Sequence, residues 1–253
     1  MRLDLALVQR GLVRSRNQAA QQIADGEVKV NSQIVTKASH EVSDRDKLSV
    51  VAQKYVARSA NKLVQALEIF NINVPMNCLD IGASTGGFTQ VLLEKGAQKV
   101  IALDVGTDQL APEIKQDSRV IEQSETNIRD VNPSELPINP TEIGLVVVDL
   151  SFISLRIVAG QIISCAPSAE FVFLIKPQFE LQKNDLNRQG VVVDSAARIR
   201  GLQSALEGLS SAGMRVLGLV ESKTVGSTGN IEYLAHLRVG EPSNWQALVA
   251  QLA

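Results

Sequence analysis

The chain has 253 residues, 45% hydrophobic and 21% charged, which suffices for one large domain with a real core or a large domain plus a small one. No apolar run approaches the roughly 20 residues of a membrane helix. The N-terminal stretch, broken by Asp4, Gln9 and Arg10, lacks the apolar centre of a secretion signal. The two cysteines, Cys78 and Cys165, sit in apolar surroundings outside any metal-type spacing, so a reduced cytoplasm is the simplest setting. The net charge of −2 hides an asymmetry: residues 1–62 carry 11 Lys/Arg against 6 Asp/Glu, and residues 63–253 carry 14 against 21. A basic front joined to an acidic body fits a small module that touches a polyanion.

In chain order, Leu3, Leu5, Ala6 and Val8 predict a short helix that ends near Gly11. Ser15 is a good N-cap for a second helix, which stops at Gly26. Residues 27–35 alternate around Asn31 and Ser32, a hairpin signal, and 47–51 close the unit as a strand. Arg14, Arg16 and Lys29 fall where they can share one positive face. From about Arg58 the pattern changes. A helix is expected over 59–70, with Leu63, Ala66, Leu67 and Phe70 on one face. Strands are then expected at 77–81, 100–104, 120–123, 145–149, 171–176, 215–222 and 231–238, and helices at 87–95, 109–116, 157–165 and 196–212. The strands are near-continuous runs of Val, Ile and Leu, as when both faces are covered. That pattern reads as an α/β sheet with mostly parallel strands. Residues 183–190 read as an exposed loop that can move.

The stretch "CLDIGASTGGFTQ" places a glycine-rich turn between a strand and a helix. No Gly-Lys-Ser/Thr follows, so it is not a P-loop, and Ser84 occupies the middle glycine of the dinucleotide fingerprint. Ligands of such sheets bind beyond the carboxyl ends of the strands, where Asp80, Asp104 and Asp149 are expected. An acid at Asp104 can bridge two ribose hydroxyls, the turn's N–H groups can take a carboxylate, and an acid can take an ammonium. S-adenosylmethionine fits that set better than NAD, whose pyrophosphate asks for the glycine that Ser84 replaces.

The segments "DIGASTGGFTQVLLEKGA", "ALDVG", "ETNIRD", "VVVDLSFISL", "IKPQFE" and "GNIEYL", in this order, resemble the TlyA-type family, whose members were first named haemolysins. The resemblance implies an S4-like α+β RNA-binding domain over 1–53, a linker over 54–61 and an FtsJ-like methyltransferase domain over 62–253. That domain would be Rossmann-like, mostly parallel, with its last strand antiparallel. It implies 2′-O-ribose methylation of ribosomal RNA, or of a ribosomal subunit, with S-adenosylmethionine, and neither DNA nor a membrane as partner. The family's Lys-Asp-Lys-Glu tetrad falls on Lys62, Asp149, Lys176 and Glu232. The cofactor set is Asp80, Gly82, Ser84, Gly86 and Asp104, with Asn127 near the adenine; the RNA contacts are Arg2, Arg14, Arg16 and Lys29. Ser59 and Ala60 stand where the family has a glycine pair, which predicts a shifted Lys62 or a tighter approach for RNA. Arg188-Gln189-Gly190 likewise replaces a more glycine-rich turn.

A ribose hydroxyl must lose its proton as it attacks, and lysine ordinarily titrates near 10.4, so a basic amine needs a second cation or burial beside it. Lys62 and Lys176 supply that logic. Asp149 is expected to orient Lys176, and Glu232 to orient Lys62, with Lys176 as base or principal alkoxide stabiliser. No metal is required, and no ligand cluster for one is visible. Phe152 and Phe179, which flank these motifs, read as core rather than as a base-stacking platform, and His40 and His236 as structural or surface. Two other readings are open on the sequence alone: an RNA-binding protein that holds the cofactor with weak or lost transfer activity, and a membrane-lytic protein.

Overall fold

The structure, a computed structural model, describes every residue except Arg14, Asp25, 51–53 and Ala253, and the backbone alone of Gln21. Two compact units emerge, Met1–Lys54 and Tyr55–Ala253. The first contains α1 (Leu3–Gln9), α2 (Arg16–Ala24), β1 (Val28–Val30), β2 (Gln33–Ile34) and β3 (Leu48–Val50). The second contains α3 (Ala60–Ile69), β4 (Asn77–Ile81), α4 (Gly87–Glu94), β5 (Lys99–Leu103), α5 (Pro112–Lys115), β6 (Val120–Gln123), β7 (Leu145–Val148), α6 (Leu155–Cys165), β8 (Glu170–Ile175), α7 (Ser195–Ser211), β9 (Met214–Glu221), β10 (Tyr233–Val239) and α8 (Trp245–Ala250).

In the second unit seven strands run in the order β6-β5-β4-β7-β8-β10-β9. The first five are parallel, and β10 is antiparallel to both neighbours. Both faces of the sheet are covered, which is why the central strands are apolar at nearly every position. On one face Ala60, Leu63 and Leu67 of α3 and Phe88, Val91 and Leu92 of α4 pack on Val100, Val147, Val172 and Leu234. On the other, Val158, Ala159 and Ile162 of α6 and Leu202, Leu206 and Leu209 of α7 pack on Leu79, Val146, Phe171 and Phe173. This three-layer sandwich leaves the C-terminal strand ends as the one edge where backbone and acids can meet a ligand.

Several expected boundaries move. The strands expected at 100–104, 145–149 and 171–176 stop one residue earlier, at Leu103, Val148 and Ile175. Asp104, Asp149 and Lys176 therefore lie just beyond the ladder, free to aim at a cleft. The helix expected at 109–116 shrinks to α5. Pro112 occupies its first turn, and Ala111 before it is held extended at ψ 140°. Most of the stretch expected to link two domains is built into the second unit: the Val56 N–H donates to Gln90 Oε1 at 2.8 Å, and α3 opens at Ala60. The helix α8, absent from the sequence reading, docks Trp245 and Val249 against the core.

The first unit closes Leu3, Ala6, Leu7, Ala19 and Ile23 over Val28, Val30 and Val42. Its sheet runs β2-β1-β3, and Asn31 and Ser32 both take positive φ, 49° and 72°, as a tight hairpin turn requires. Ser15 caps α2 as expected, its Oγ accepting from the Gln18 N–H at 3.2 Å. Beneath the unit's surface lies a buried acid, Asp4. Arg2 Nε reaches its Oδ1 at 3.0 Å and Arg16 Nη2 its Oδ2 at 3.1 Å. Hydrogen bonding from Arg2, followed by that from Arg16, holds the carboxyl down to about 2 against the desolvation that opposes it. A carboxyl depressed in the folded chain stabilises it fully above its ordinary range, about 4, and loses that contribution as pH falls toward 2. Both arginines are half-exposed, so solvent screening limits the effect to the order of 1 kcal/mol. Asp4→Asn should therefore lower the urea midpoint of the first unit at pH 7, and the gap to the parent chain should close between about pH 4 and pH 2. Unfolding curves at these pH values, read from the first unit's own amides, check this.

Candidate active site

Each of the loops that follow β4, β5, β6 and β7 holds one non-glycine residue at positive φ: Ser84 at 47°, Asp108 at 49°, Glu125 at 56° and Phe152 at 64°. Such conformations cost about 1–3 kcal/mol each and persist only where surrounding contacts impose them. Here all four lie at the edge where a parallel sheet binds its ligands.

The turn after β4 is shaped by absent side chains. Gly82 has φ +85°, and a Cβ there would stand 2.4 Å from the Asp149 carbonyl oxygen, so any larger residue would part β4 from β7 at the site. Gly86, at φ +92°, opens α4. The amides of this turn are more occupied than the sequence suggests. Gly82 and Ala83 both donate to the Leu103 carbonyl, Gly86 to that of Ala83, and Ser84 to Asp104 Oδ2 at 2.8 Å. Donors for an incoming carboxylate are offered by Thr85 in the turn and by the start of α4, where Gly86 makes no side-chain cap. Asp104 also accepts from the Gly106 N–H at 2.8 Å, yet each of its oxygens keeps a second lone pair for a ribose hydroxyl.

Asp80 departs from its expected role as a ligand contact. It is fully buried beneath the turn, its Oδ2 accepting from Thr89 Oγ1 at 2.6 Å. Burial pushes its carboxyl up to about 7. It acts on the turn and on α4 from below and does not line the cleft. Asn127 is half-buried, and its side-chain oxygen caps a short 3₁₀ turn by accepting from the Arg129 N–H at 3.1 Å.

All four tetrad residues line one cleft of about 330 Å³, together with Gly82, Ala83, Ser84 and Thr85. Lys62, in the first turn of α3, donates from Nζ to Glu232 Oε2 at 2.5 Å, and both side chains are nearly sealed, at 7% and 4% exposure. Gly226 makes room for that carboxylate, because a Cβ there would come within 2.4 Å of Glu232 Oε1. Lys176 Nζ stands 2.7 Å from Asp149 Oδ1 and donates to Ser151 Oγ at 2.9 Å. Strand order alone sets up this second pair, since β7 and β8 are neighbours in parallel register.

With Ser59 and Ala60 in place of the glycine pair, Lys62 still lines the cleft and meets Glu232. The close approach that a glycine pair at 59–60 would permit is provided from the opposite side by Gly87, where a Cβ would stand 2.9 Å from both Ala57 Cβ and Ser59 Oγ. Ala60 is wholly buried, and Ser59 lines the cleft. The aromatic expectation fails in part. Phe152 is 90% exposed, its ring tilted over Phe179 at 5.1 Å between centroids, with Lys176 Nζ 5.9 Å from the Phe179 ring. His236 is structural as expected, stacked on Phe70 at 5.6 Å and bonded to Glu170 at 2.8 Å. The loop over 183–190 is largely exposed, as expected, and two contacts join it to the rest of the unit. Buried Asn230 donates to the Gly190 carbonyl at 2.9 Å, and Asp185 pairs with Arg200.

The sequence reading passed over Ser151, Glu180 and Gly226, and it counted Gly87 in the turn without giving it a packing role. Ser151 and Glu180 lie inside quoted motifs, but neither periodicity nor composition distinguishes them. Of the basic residues in the first unit, Arg2 and Arg16 converge on Asp4, Lys29 lies on β1, and Arg14 falls outside the described residues.

Removing one member of a buried ion pair strands the other. Lys62→Met should destabilise the second unit by about 3 kcal/mol, and adding Glu232→Leu should recover at least half of that. Urea unfolding of the two single variants and the double variant measures the coupling.

The FtsJ-like methyltransferase family matches residues 55–239, and the S4 domain family matches residues 1–48. The chain is 43% identical to the 16S/23S rRNA (cytidine-2′-O)-methyltransferase TlyA of Mycobacterium tuberculosis, over 94% of its own length and 89% of that protein. It is 41% identical to hemolysin A of Brachyspira hyodysenteriae, over 93% of its length and 99% of the other. A solved structure from Streptococcus thermophilus that carries a hemolysin name superposes with a TM-score of 0.78 at 33% identity, covering 99% of this chain and 94% of the other. With both family matches in chain order and near-complete coverage at this identity, the chain belongs to the TlyA-type family of FtsJ-like methyltransferases with an N-terminal S4 domain.

Proposed function

We propose that this chain transfers a methyl group to a ribose 2′-hydroxyl of ribosomal RNA. The observation that carries this reading is the convergence of Lys62, Asp149, Lys176 and Glu232 on one cleft beside the glycine turn. The M. tuberculosis relative is named for cytidine, which supports cytidine as the target nucleotide. Among the described residues no helix is long and apolar enough to cross a membrane, and nothing at the site favours a lytic role. A substrate in the ribosome places the protein in the cytoplasm, and a reaction at the 2′-hydroxyl excludes DNA as acceptor.

The cleft fits S-adenosylmethionine. Asp104 would hold its ribose, the first turn of α4 its carboxylate, and the Gly82 turn gives it a close backbone wall. When bound, it supplies an electrophilic methyl on a sulfonium. The protein's own contribution is to position the hydroxyl and manage its proton. Lys176 Nζ, fixed by Asp149 and Ser151, is the group that would meet the 2′-oxygen. As a neutral amine it accepts the hydroxyl's proton; as an ammonium it holds the oxyanion. Asp149 balances the charge in either case. Lys62, locked to Glu232, keeps a second positive charge on the same cleft wall. Alignment of the hydroxyl with the donor then supplies much of the remaining acceleration. The exposed face of Phe152, which packs on Phe179, is suited to stack on the nucleobase. Arg2 and Arg16 offer the S4-like unit's phosphate contacts, which position RNA without reading its sequence.

Incubating ribosomal subunits with tritiated S-adenosylmethionine and digesting to nucleosides tests the reading. Label on a 2′-O-methylated nucleoside is expected; binding of both ligands with no label on ribose sinks it. In the same assay Lys176→Ala should lose about 10²- to 10⁴-fold in transfer rate while S-adenosylmethionine still binds.

A further inference from the structure

Glu180 ends the "IKPQFE" motif, yet the reaction described above gives it no task. The helix α6 begins after Ser154, whose side chain makes no cap of its own. Glu180 provides that cap from a distant segment. Its Oε1 accepts from the Leu155 N–H at 2.8 Å, and its Oε2 accepts from Ser154 Oγ at 2.5 Å. Burial raises its proton affinity, while these two bonds favour the carboxylate.

This contact is the last of three that join the loop after β7 to the turn after β8. Lys176 meets Asp149 and Ser151, Phe179 meets Phe152, and Glu180 meets Ser154 and Leu155. The turn itself is firmly seated. It is a 3₁₀ turn over Pro177–Phe179, and α7 presses against it at Gly201, where a Cβ would come within 2.8 Å of the Pro177 carbonyl oxygen. The loop it faces is strained, with Phe152 at φ 64° and 90% exposed. A bulky residue in that conformation has little burial of its own to hold it, so its restraint comes from its neighbours.

We propose that Glu180 is a positioning residue: by capping α6 from the post-β8 turn, it holds loop residues 149–154 so that Asp149, Ser151 and Phe152 face Lys176. The effect on rate rests on the ribose-methylation reading; the effect on the loop does not. Ser154 Oγ and the Leu155 N–H also define a conservative replacement. In Glu180→Gln the amide oxygen still accepts from Leu155, and the amide nitrogen donates to Ser154 Oγ. Glu180→Ala removes both bonds.

Two measurements on the full chain decide the matter. Hydrogen–deuterium exchange should quicken in Glu180→Ala over residues 150–158 and stay unchanged over the glycine turn at 82–87, with Glu180→Gln close to the parent. Unchanged exchange at 150–158 in the Ala variant overturns the proposal, as does general acceleration across the unit. In the methylation assay, run well below each variant's unfolding midpoint, Glu180→Ala should lose about 10- to 100-fold in kcat, while its affinity for S-adenosylmethionine stays within about twofold of the parent. Glu180→Gln should keep its kcat within about threefold, because it preserves the geometry. Parental kcat in the folded Ala variant, equal impairment of both variants, or parallel loss of cofactor affinity and kcat each defeats the positioning role. A parent chain that puts no label on ribose defeats the functional reading instead, and the exchange experiment still decides whether Glu180 holds the loop.

Discussion

Two ammonium groups on one cleft wall repel each other, and the arrangement holds because each lysine has a carboxylate of its own. Lys176 and Asp149 meet at small cost, since they extend from the ends of paired parallel strands. Lys62 and Glu232 are 170 residues apart, and their 2.5 Å contact needs α3 packed across the sheet and the segment before β10 folded back to it. Neither side chain of that second pair is appreciably wet, so each depends on the other to offset desolvation. The tertiary fold of the second unit and the charge arrangement of its site are thus one problem. Whatever loosens α3 from the sheet also separates the buried pair.

The strained loops show how the rest of the edge is kept in order. Each positive-φ residue is tied to another segment at the same edge. Ser84 donates to Asp104, Asp108 accepts from Lys115, Glu125 accepts from Thr107, and Phe152 lies against Phe179. Three of these contacts run sideways from loop to loop, and the fourth ties Asp108 to the helix α5 that follows its own loop. A binding edge built this way is rigid before a ligand arrives, which lowers the ordering cost of binding. It also explains why Asp80, although buried, matters there: it fixes α4 to the underside of the first loop through Thr89.

The sheet was legible because buried parallel strands must be apolar throughout, and runs such as Leu145–Val148 admit few other readings. The tetrad was legible only through its motif order; nothing about Lys62 alone distinguishes it from a solvated helix lysine. Three features were not legible, each for a physical reason. Phe152 read as core because hydrophobicity says nothing about a backbone forced to φ 64°. Glu180 went unnoticed because a cap supplied from 25 residues away leaves no local signature, unlike Ser15 before α2. What the serine and alanine at 59–60 meet was hidden because one stretch of sequence shows only one side of a contact. A close approach needs a missing Cβ on either partner, and Gly87 provides it from α4.

The same reasoning changes what the basic front of the chain means. Counted as charges, residues 1–62 look ready to grip a polyanion. Arg2 and Arg16, however, both spend donors on the carboxylate of Asp4, and Arg10 donates to the Ser43 and Asp46 carbonyls. The local excess of charge around Asp4 is therefore one unit, where a count of arginines gives two. What the unit gains is direction: two planar guanidiniums fixed around one buried acid still have free N–H donors on their outer edges. If this surface meets RNA as proposed, oriented hydrogen bonds to phosphate would count for more than diffuse attraction. Its affinity should then depend less steeply on salt than the nine basic residues of Met1–Lys54 would suggest.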